Sequence, residues 1–294
     1  MEGDINVKKE LFALIRMLDE PEQDLFDSIR SNIESYGVLA LPYLEDIAAN
    51  FLNDVQIRNR AESIIQKIRF NETYYKLNKW KKENKQNIID AWIIVEELIF
   101  PDIEYNVAIE KFNEISNEIW LKENLHLNPL KKIELINEIL FDFYSFKVSQ
   151  KITFDDNFLL IKLLQTFSCN YITITMLYLA IAQKLNYPVF GQFIEDSFLL
   201  SWVNVKNNEN FISFFEEGKI LFYITPFMKG SVFNEEQMNY YLTKNNIKPK
   251  PYFFKPFTNT DVISYYIKEL NKVLKKRNFL IDLNNLLNAI IPED

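Results

Sequence analysis

The sequence predicts an α+β protein, mainly helical, with one small antiparallel sheet. Apolar residues recur at the helical period of three and four through most of the chain. Only the stretch after Pro188 changes to short aromatic and β-branched runs separated by turn residues. The order is therefore helices, then strands, then helices, which is an α+β arrangement rather than an alternating one. The chain has 294 residues, 48% of them hydrophobic, which is ample for a sizeable core. Five glycines and ten prolines are too few for long disorder.

Residues 5–18 place Leu11, Leu14, Ile15 and Leu18 on one helical face. LDEPEQDLF breaks that helix, with Pro21 near the start of the next. Residues 22–35 carry Leu25, Phe26, Ile29 and Ile33, and Gly37 stops them. After VLALPYL a third helix runs to about Leu52, and a fourth holds Ile57, Ala61, Ile64, Ile65 and Ile68. The phrase LDEPEQDLFDSIRSNIESYGVLALPYLEDI resembles one unit of a HEAT-type helical repeat. Such a unit must stack on neighbours to bury its apolar face. IIDAWIIVEELIF (88–100) is apolar nearly all round, which predicts burial. YNVAIEKFNEISNEIWLKENL, PLKKIELINEILFDFYSF and DDNFLLIKLLQTF continue the helices into SCNYITITMLYLAIAQKLNYPVFG, residues 168–191. There the segment 171–186 reads as a central helix, apolar on every side.

VFGQFIE, SFLLSWVNV, NFISFFE and KILFYITPF read as strands of an antiparallel sheet spanning about 189–226, with NNEN and EEGK as connections. EEQMNYYL, TDVISYYIKELNKVLKKR and IDLNNLLNAI return to helix. No Gly/Ser-rich linker divides the chain, so the boundary is soft: a helical region over 1–90 and an α+β core over 91–294.

Charge and motif content exclude several function classes. The net charge of −8 argues against general nucleic-acid affinity. One cysteine leaves no internal disulfide and fits a reducing compartment. MEGDINVKKELF lacks the basic-then-apolar pattern of a signal peptide, and no apolar run reaches membrane-spanning length. The expectation is a soluble cytoplasmic protein without cofactor or metal, whose partner is a protein or peptide. Phosphate loops, GxGxxG and nucleophile elbows are absent from the sequence.

Several segments together resemble the SirB-type branch of the transglutaminase-like family, in which helices precede a reduced transglutaminase core. IELINEILFDFYSF resembles its lead-in helix. CNYITITMLYLAIAQKLNYPVFG resembles its core helix, which usually opens Gly-Asn-Pro or Gly-Asn-Cys and ends Leu-Gly-Leu-Pro. EDSFLL stands in the place of Pro-Gly-His-Phe-Leu, and GKILFYITPFMKGSVFNEEQM resembles the segment with Asn-Pro-Phe and a following Gly. The N-terminal repeat and the TDVISYYIKELNKVLKK helix fit a bacterial branch of the family.

The resemblance implies a three-part site. A cysteine at a helix start has its thiolate favoured by the dipole and the free N–H groups. A histidine on the adjacent strand takes the thiol proton, and a carboxylate or amide on the next strand orients it. Carried over position by position, the cysteine place is Tyr171, because Asn170 matches the Asn before it. The histidine place is Ser197 and the orienting place is Thr225, so all three chemical groups are missing. The resemblance implies that Tyr171, Ser197 and Thr225 meet at one degenerate site, able with Asn170 to hold a small anion or peptide carboxylate.

Cys169 is the candidate for a relocated nucleophile. It stands two residues early, and the sole histidine, His126, reads as part of a loop between helices. A small, partly buried apolar residue at a helix start is the better reading of Cys169, and an exposed loop or capping residue that of His126. Asp155 and Asp156 read as an N-terminal helix cap rather than a metal site. Glu195, Asp196, Glu216 and Glu217 read as turn charges, though two of them could face one pocket. KPKPYFFKPF mixes cations with aromatics, as single-stranded nucleic-acid binders do. In an acidic chain it reads better as a proline-stiffened segment laid over the core. VLKKR complements a helix C-terminus.

The resulting expectation is a non-catalytic transglutaminase-like binding or scaffold protein. Two alternatives stand beside it: a hydrolase or acyltransferase using Cys169, and a helical-repeat interaction module.

Overall fold

The computed structural model describes residues 2–50, 52, 54–83, 87–123, 127–149, 158–195, 197–204, 220–276 and 283–291. The chain forms two compact units, Met1–Lys79 and Trp80–Asp294. The first holds α1 (Glu2–Ile15), α2 (Gln23–Ser35), α3 (Leu41–Ala49) and most of α4 (Val55–Lys81). Its core is Leu11, Ile15, Leu18, Phe26, Ile29, Ile33, Ala40, Leu44, Ala61, Ile64, Ile65 and Ile68. Leu25 departs from the predicted face: it is half exposed, because Phe26, Ile29 and Ile33 already form the i, i+3, i+7 stripe and Leu25 lies one position off it. Arg60 anchors the α1–α2 turn. Its Nη1 donates to the carbonyls of Leu18 and Glu20 at 2.8 and 2.7 Å, and its guanidinium lies 3.9 Å from the centre of the Phe26 ring.

The second unit begins at Trp80, a buried residue whose indole N–H donates to the Asn87 carbonyl at 2.7 Å. The Asn87 side chain in turn caps α5 (Ile88–Ile99) by accepting from Ile89 N. Then come α6 (Asn106–Lys122), α7 (Pro129–Asn137), a π-helical turn over Glu138–Phe143, β1 (Lys147–Val148), α8 (Leu160–Thr166), β2 (Ser168–Cys169) and α9 (Tyr171–Lys184). The sheet follows as β3 (Val189–Ile194), β4 (Ser197–Val203), β5 (Ile220–Thr225) and β6 (Ser231–Phe233), in that spatial order and antiparallel throughout. α10 (Glu235–Lys244), α11 (Asn259–Lys275) and a short helix at Leu287–Ile290 complete the described elements. NFISFFE and the NNEN and EEGK connections lie outside the described residues.

α9 is the centre of this unit. Every residue from Ile172 to Ala182 is buried, as its all-round apolarity predicts. Alternation along the ladder assigns the two faces of the sheet. Val189, Gly191, Phe193, Phe198, Leu200 and Trp202 share one face, since they pair with one another. α11 lies on that face: Val262 approaches Gly191, and Tyr265 meets the rings of Phe193 and Phe198. On the other face Ile194, Leu199 and Tyr223 pack with Met238 and Leu242 of α10 and with Phe253. The proline-stiffened segment is laid over this side, as expected. Gln192 Nε2 donates to the carbonyls of Tyr252 and Phe253, and Phe257 N donates to Gly191 O at 2.8 Å. The sequence did not predict the two-residue parallel ladder of β1 with β2, in which Lys147 pairs with Ser168. Runs this short carry no readable period.

Two positions hold the helices by hydrogen bonds rather than area. Glu96, in α5, is fully buried, and its Oε1 accepts from Leu160 N at the start of α8 and from the Tyr266 hydroxyl of α11, each at 2.9 Å. Gly230, with φ +68°, lies against Asn137, whose Nδ2 donates to the Gly230 carbonyl while its Oδ1 accepts from the Tyr178 hydroxyl. A Cβ at Gly230 would stand 1.8 Å from that Oδ1. Gly230→Ala should therefore cost at least about 2 kcal/mol, from left-handed strain and the broken contact together. The measurement is the denaturant midpoint at unchanged slope; an unmoved midpoint would show that Asn137 can step aside.

Candidate functional site

The start of α9 is built by a reciprocal cap. Asn170 adopts an extended backbone, and its Oδ1 accepts from Ile172 N at 2.8 Å and Thr173 N at 3.0 Å. Thr173 Oγ1 accepts from Asn170 N at 3.1 Å. This satisfies N–H groups that a free helix end would leave open. Tyr171 is the first helical residue. Its hydroxyl lies 3.1 Å from that of Tyr265, and its ring meets Phe227 edge-on at 6.3 Å. Tyr265 in turn packs against Phe193 at 4.7 Å and Phe198 at 5.6 Å. The surroundings of Tyr171 are thus aromatic, with one paired hydroxyl.

Ser197 opens β4 opposite Ile194, and Thr225 closes β5 opposite Ser231. The Thr225 hydroxyl donates to the Ser231 carbonyl at 2.9 Å. Strand alternation gives Ser197 the side shared by Ile194 and Leu199, and Thr225 that of Tyr223, which is the face α10 covers. Tyr171 reaches the opposite face through Tyr265. The three residues therefore share one end of the sheet but not one face, and among the described residues no hydrogen bond joins them.

Cys169 is buried in β2, not exposed at the helix start. Its thiol donates to the Lys147 carbonyl at 3.3 Å, and burial pushes its pKa up to about 12. That is opposite to what a nucleophilic thiol needs. Glu195 sits in the β3–β4 turn with φ +50° and pairs with Lys250 at 3.0 Å on the surface. His126, Asp155, Asp156, Asp196, Glu216 and Glu217 lie outside the described residues. Among the described residues no three His, Cys, Asp or Glu side chains gather to hold a metal, and no helix is long and apolar enough to cross a membrane.

Residues 107–267 match the model of the transglutaminase-like superfamily, a span of more than half the chain that includes α9 and the whole sheet. The chain belongs to that superfamily. No curated protein and no solved structure matches it.

Sequence reasoning missed Tyr265 and Glu96. The repeated tyrosine of ISYYIKEL was the signal for the first, since one of the pair had to point away from the core stripe. An acid within the all-apolar run of α5 was the signal for the second. At Cys169, native protein should react with a thiol reagent at pH 7.5 at least about a thousandfold more slowly than denatured protein, from the lost thiolate fraction alone. The check is the labelling rate with and without denaturant; comparable rates would put Cys169 back among the nucleophiles.

Proposed function

We propose that this chain is a non-catalytic transglutaminase-like protein of the SirB type, cytoplasmic and bacterial, that binds or scaffolds a protein or peptide partner. The observation that carries the reading is the state of the only thiol in the sequence. Cys169 is enclosed, its S–H is taken up by a backbone carbonyl, and its pKa is raised to about 12. The position that resembles the family's nucleophile holds Tyr171, whose hydroxyl is already paired. Ser197, in the histidine place, has no imidazole to take a proton reversibly. The scaffold around these positions is intact: the capping box, the buried helix and the four-stranded sheet all remain. Retained packing with lost chemistry fits binding rather than turnover.

The alternative enzyme reading requires Cys169 to leave its pocket. A reading centred on the helical unit draws on the exposed apolar side chains of Leu25, Val38, Leu39 and Val55. One experiment separates catalysis from binding. Amine incorporation and amide or peptide hydrolysis are measured with the wild type and Cys169→Ala. The expected result is no turnover in either, at or below about 10⁻⁴ of a complete triad. Turnover that disappears in Cys169→Ala would overturn the proposal and make Cys169 the nucleophile.

A further inference from the structure

Glu96 stands apart from every other acid described. Its side chain is fully buried in α5, and one of its two carboxyl oxygens, Oε1, takes both hydrogen bonds, from Leu160 N and the Tyr266 hydroxyl. The other oxygen, Oε2, has no hydrogen-bond partner. Two further buried polar atoms beside it are also unpartnered: the Trp92 indole N–H, from the same helix, and the Tyr105 hydroxyl, from the turn before α6. The pocket wall is aromatic, with Tyr266 edge-on to Trp92 at 5.6 Å and stacked on Phe158 at 5.4 Å. The groups acting on the carboxyl are thus a backbone N–H from α8, phenols from α11 and the pre-α6 turn, and an indole from α5. None of them is a cation. Glu97 adds a further negative charge that acts on Tyr105.

We propose that Glu96 is a buried proton-binding site whose occupancy sets how firmly α8 is held, and through α8 the start of α9. With a proton on Oε2, the carboxyl is neutral and no charge is enclosed in the pocket. When that proton leaves to solvent, a carboxylate without a counter-charge remains inside an aromatic pocket, a costly state. The strain falls on the junction of α5, α8 and α11, because Oε1 is what ties them. α8 has only seven residues, and its C-terminal end passes through Phe167 and β2 directly into the Asn170 cap.

The electrostatics agree with the geometry. Burial pushes Glu96 up from 4.5 to about 7, although the bonds from Leu160 N and the Tyr266 hydroxyl, and the nearby Trp92 and Tyr105 dipoles, pull the other way. A carboxyl whose folded pKa lies above its unfolded one contributes stability that is complete below 4.5 and is lost as pH rises through about 7. In that window the unfolded chain holds fewer protons than the folded one, so the folding constant falls by up to about tenfold per pH unit.

The test uses the full chain, wild type and Glu96→Gln, between pH 5.5 and 8.5. The amide shift of Leu160, bonded to Oε1, is followed by NMR together with hydrogen-exchange protection at Leu160 and at Ile172 and Thr173. The intrinsic pH dependence of exchange is subtracted. In the wild type the Leu160 shift should titrate near neutrality, and protection at all three amides should fall with it by about tenfold or more. Glu96→Gln, neutral and close in shape, should keep the low-pH protection at every pH. A Leu160 shift that is flat from pH 5.5 upward overturns the proposal from wild-type data alone, even if the variant fails to fold. Titration at Leu160 without any change at Ile172 and Thr173 overturns the link to α9.

Discussion

A helix with no exposed face needs a partner on every side, and the second unit is organised by that need of α9. Eleven consecutive residues, Ile172 to Ala182, are removed from water. Each large apolar side chain among them contributes about 1.5–3 kcal/mol when buried, so most of the surrounding elements are placed by where this helix must be covered. α11 is fastened to α9 by Tyr171 with Tyr265 and by Gln183 with Asn259. α7 is fastened by the Tyr178 hydroxyl, buried deeply enough that it must find acceptors, at Asn137 and the Ile133 carbonyl. The same Asn137 holds Gly230, so the turn after β5 is tied to the central helix through a side chain on a third element.

That organisation leaves the start of α9 held by its own backbone cap. The cap formed by Asn170 and Thr173 satisfies the backbone at the helix start whatever residue stands at position 171. Tyr171 turns its ring toward Phe227 and its hydroxyl toward Tyr265. The thiol of Cys169 lies in the short β1–β2 ladder, where it donates to a backbone carbonyl and burial suppresses its ionisation.

Among the described residues, some polar contacts inside the core join elements distant in sequence. Glu96 with Leu160 spans 64 residues, and with Tyr266 it spans 170. Arg60 does the same in the helical unit by closing on the Leu18 and Glu20 carbonyls. Such contacts add directional constraint to an interior that apolar area alone would leave free to slide.

What the sequence determined by itself was whatever depends on local period and on caps. The helix at 171–184, the antiparallel strands at 189–203 and 220–225, and the return to helix after Asn234 follow from spacing that neighbours in the chain impose. The family was legible too, because its packing residues are spread in order along one stretch. Only the tertiary structure decided the rest. It put Leu25 outside, though its composition suits a core, since which of two adjacent apolar residues is covered depends on the helix packed above. It set Ser197 and Thr225 on a different face of the sheet from the partner of Tyr171, a matter of register that no single strand encodes. It made Glu96 the most enclosed acid described, since burial is a property of everything folded around a residue and not of the residue itself.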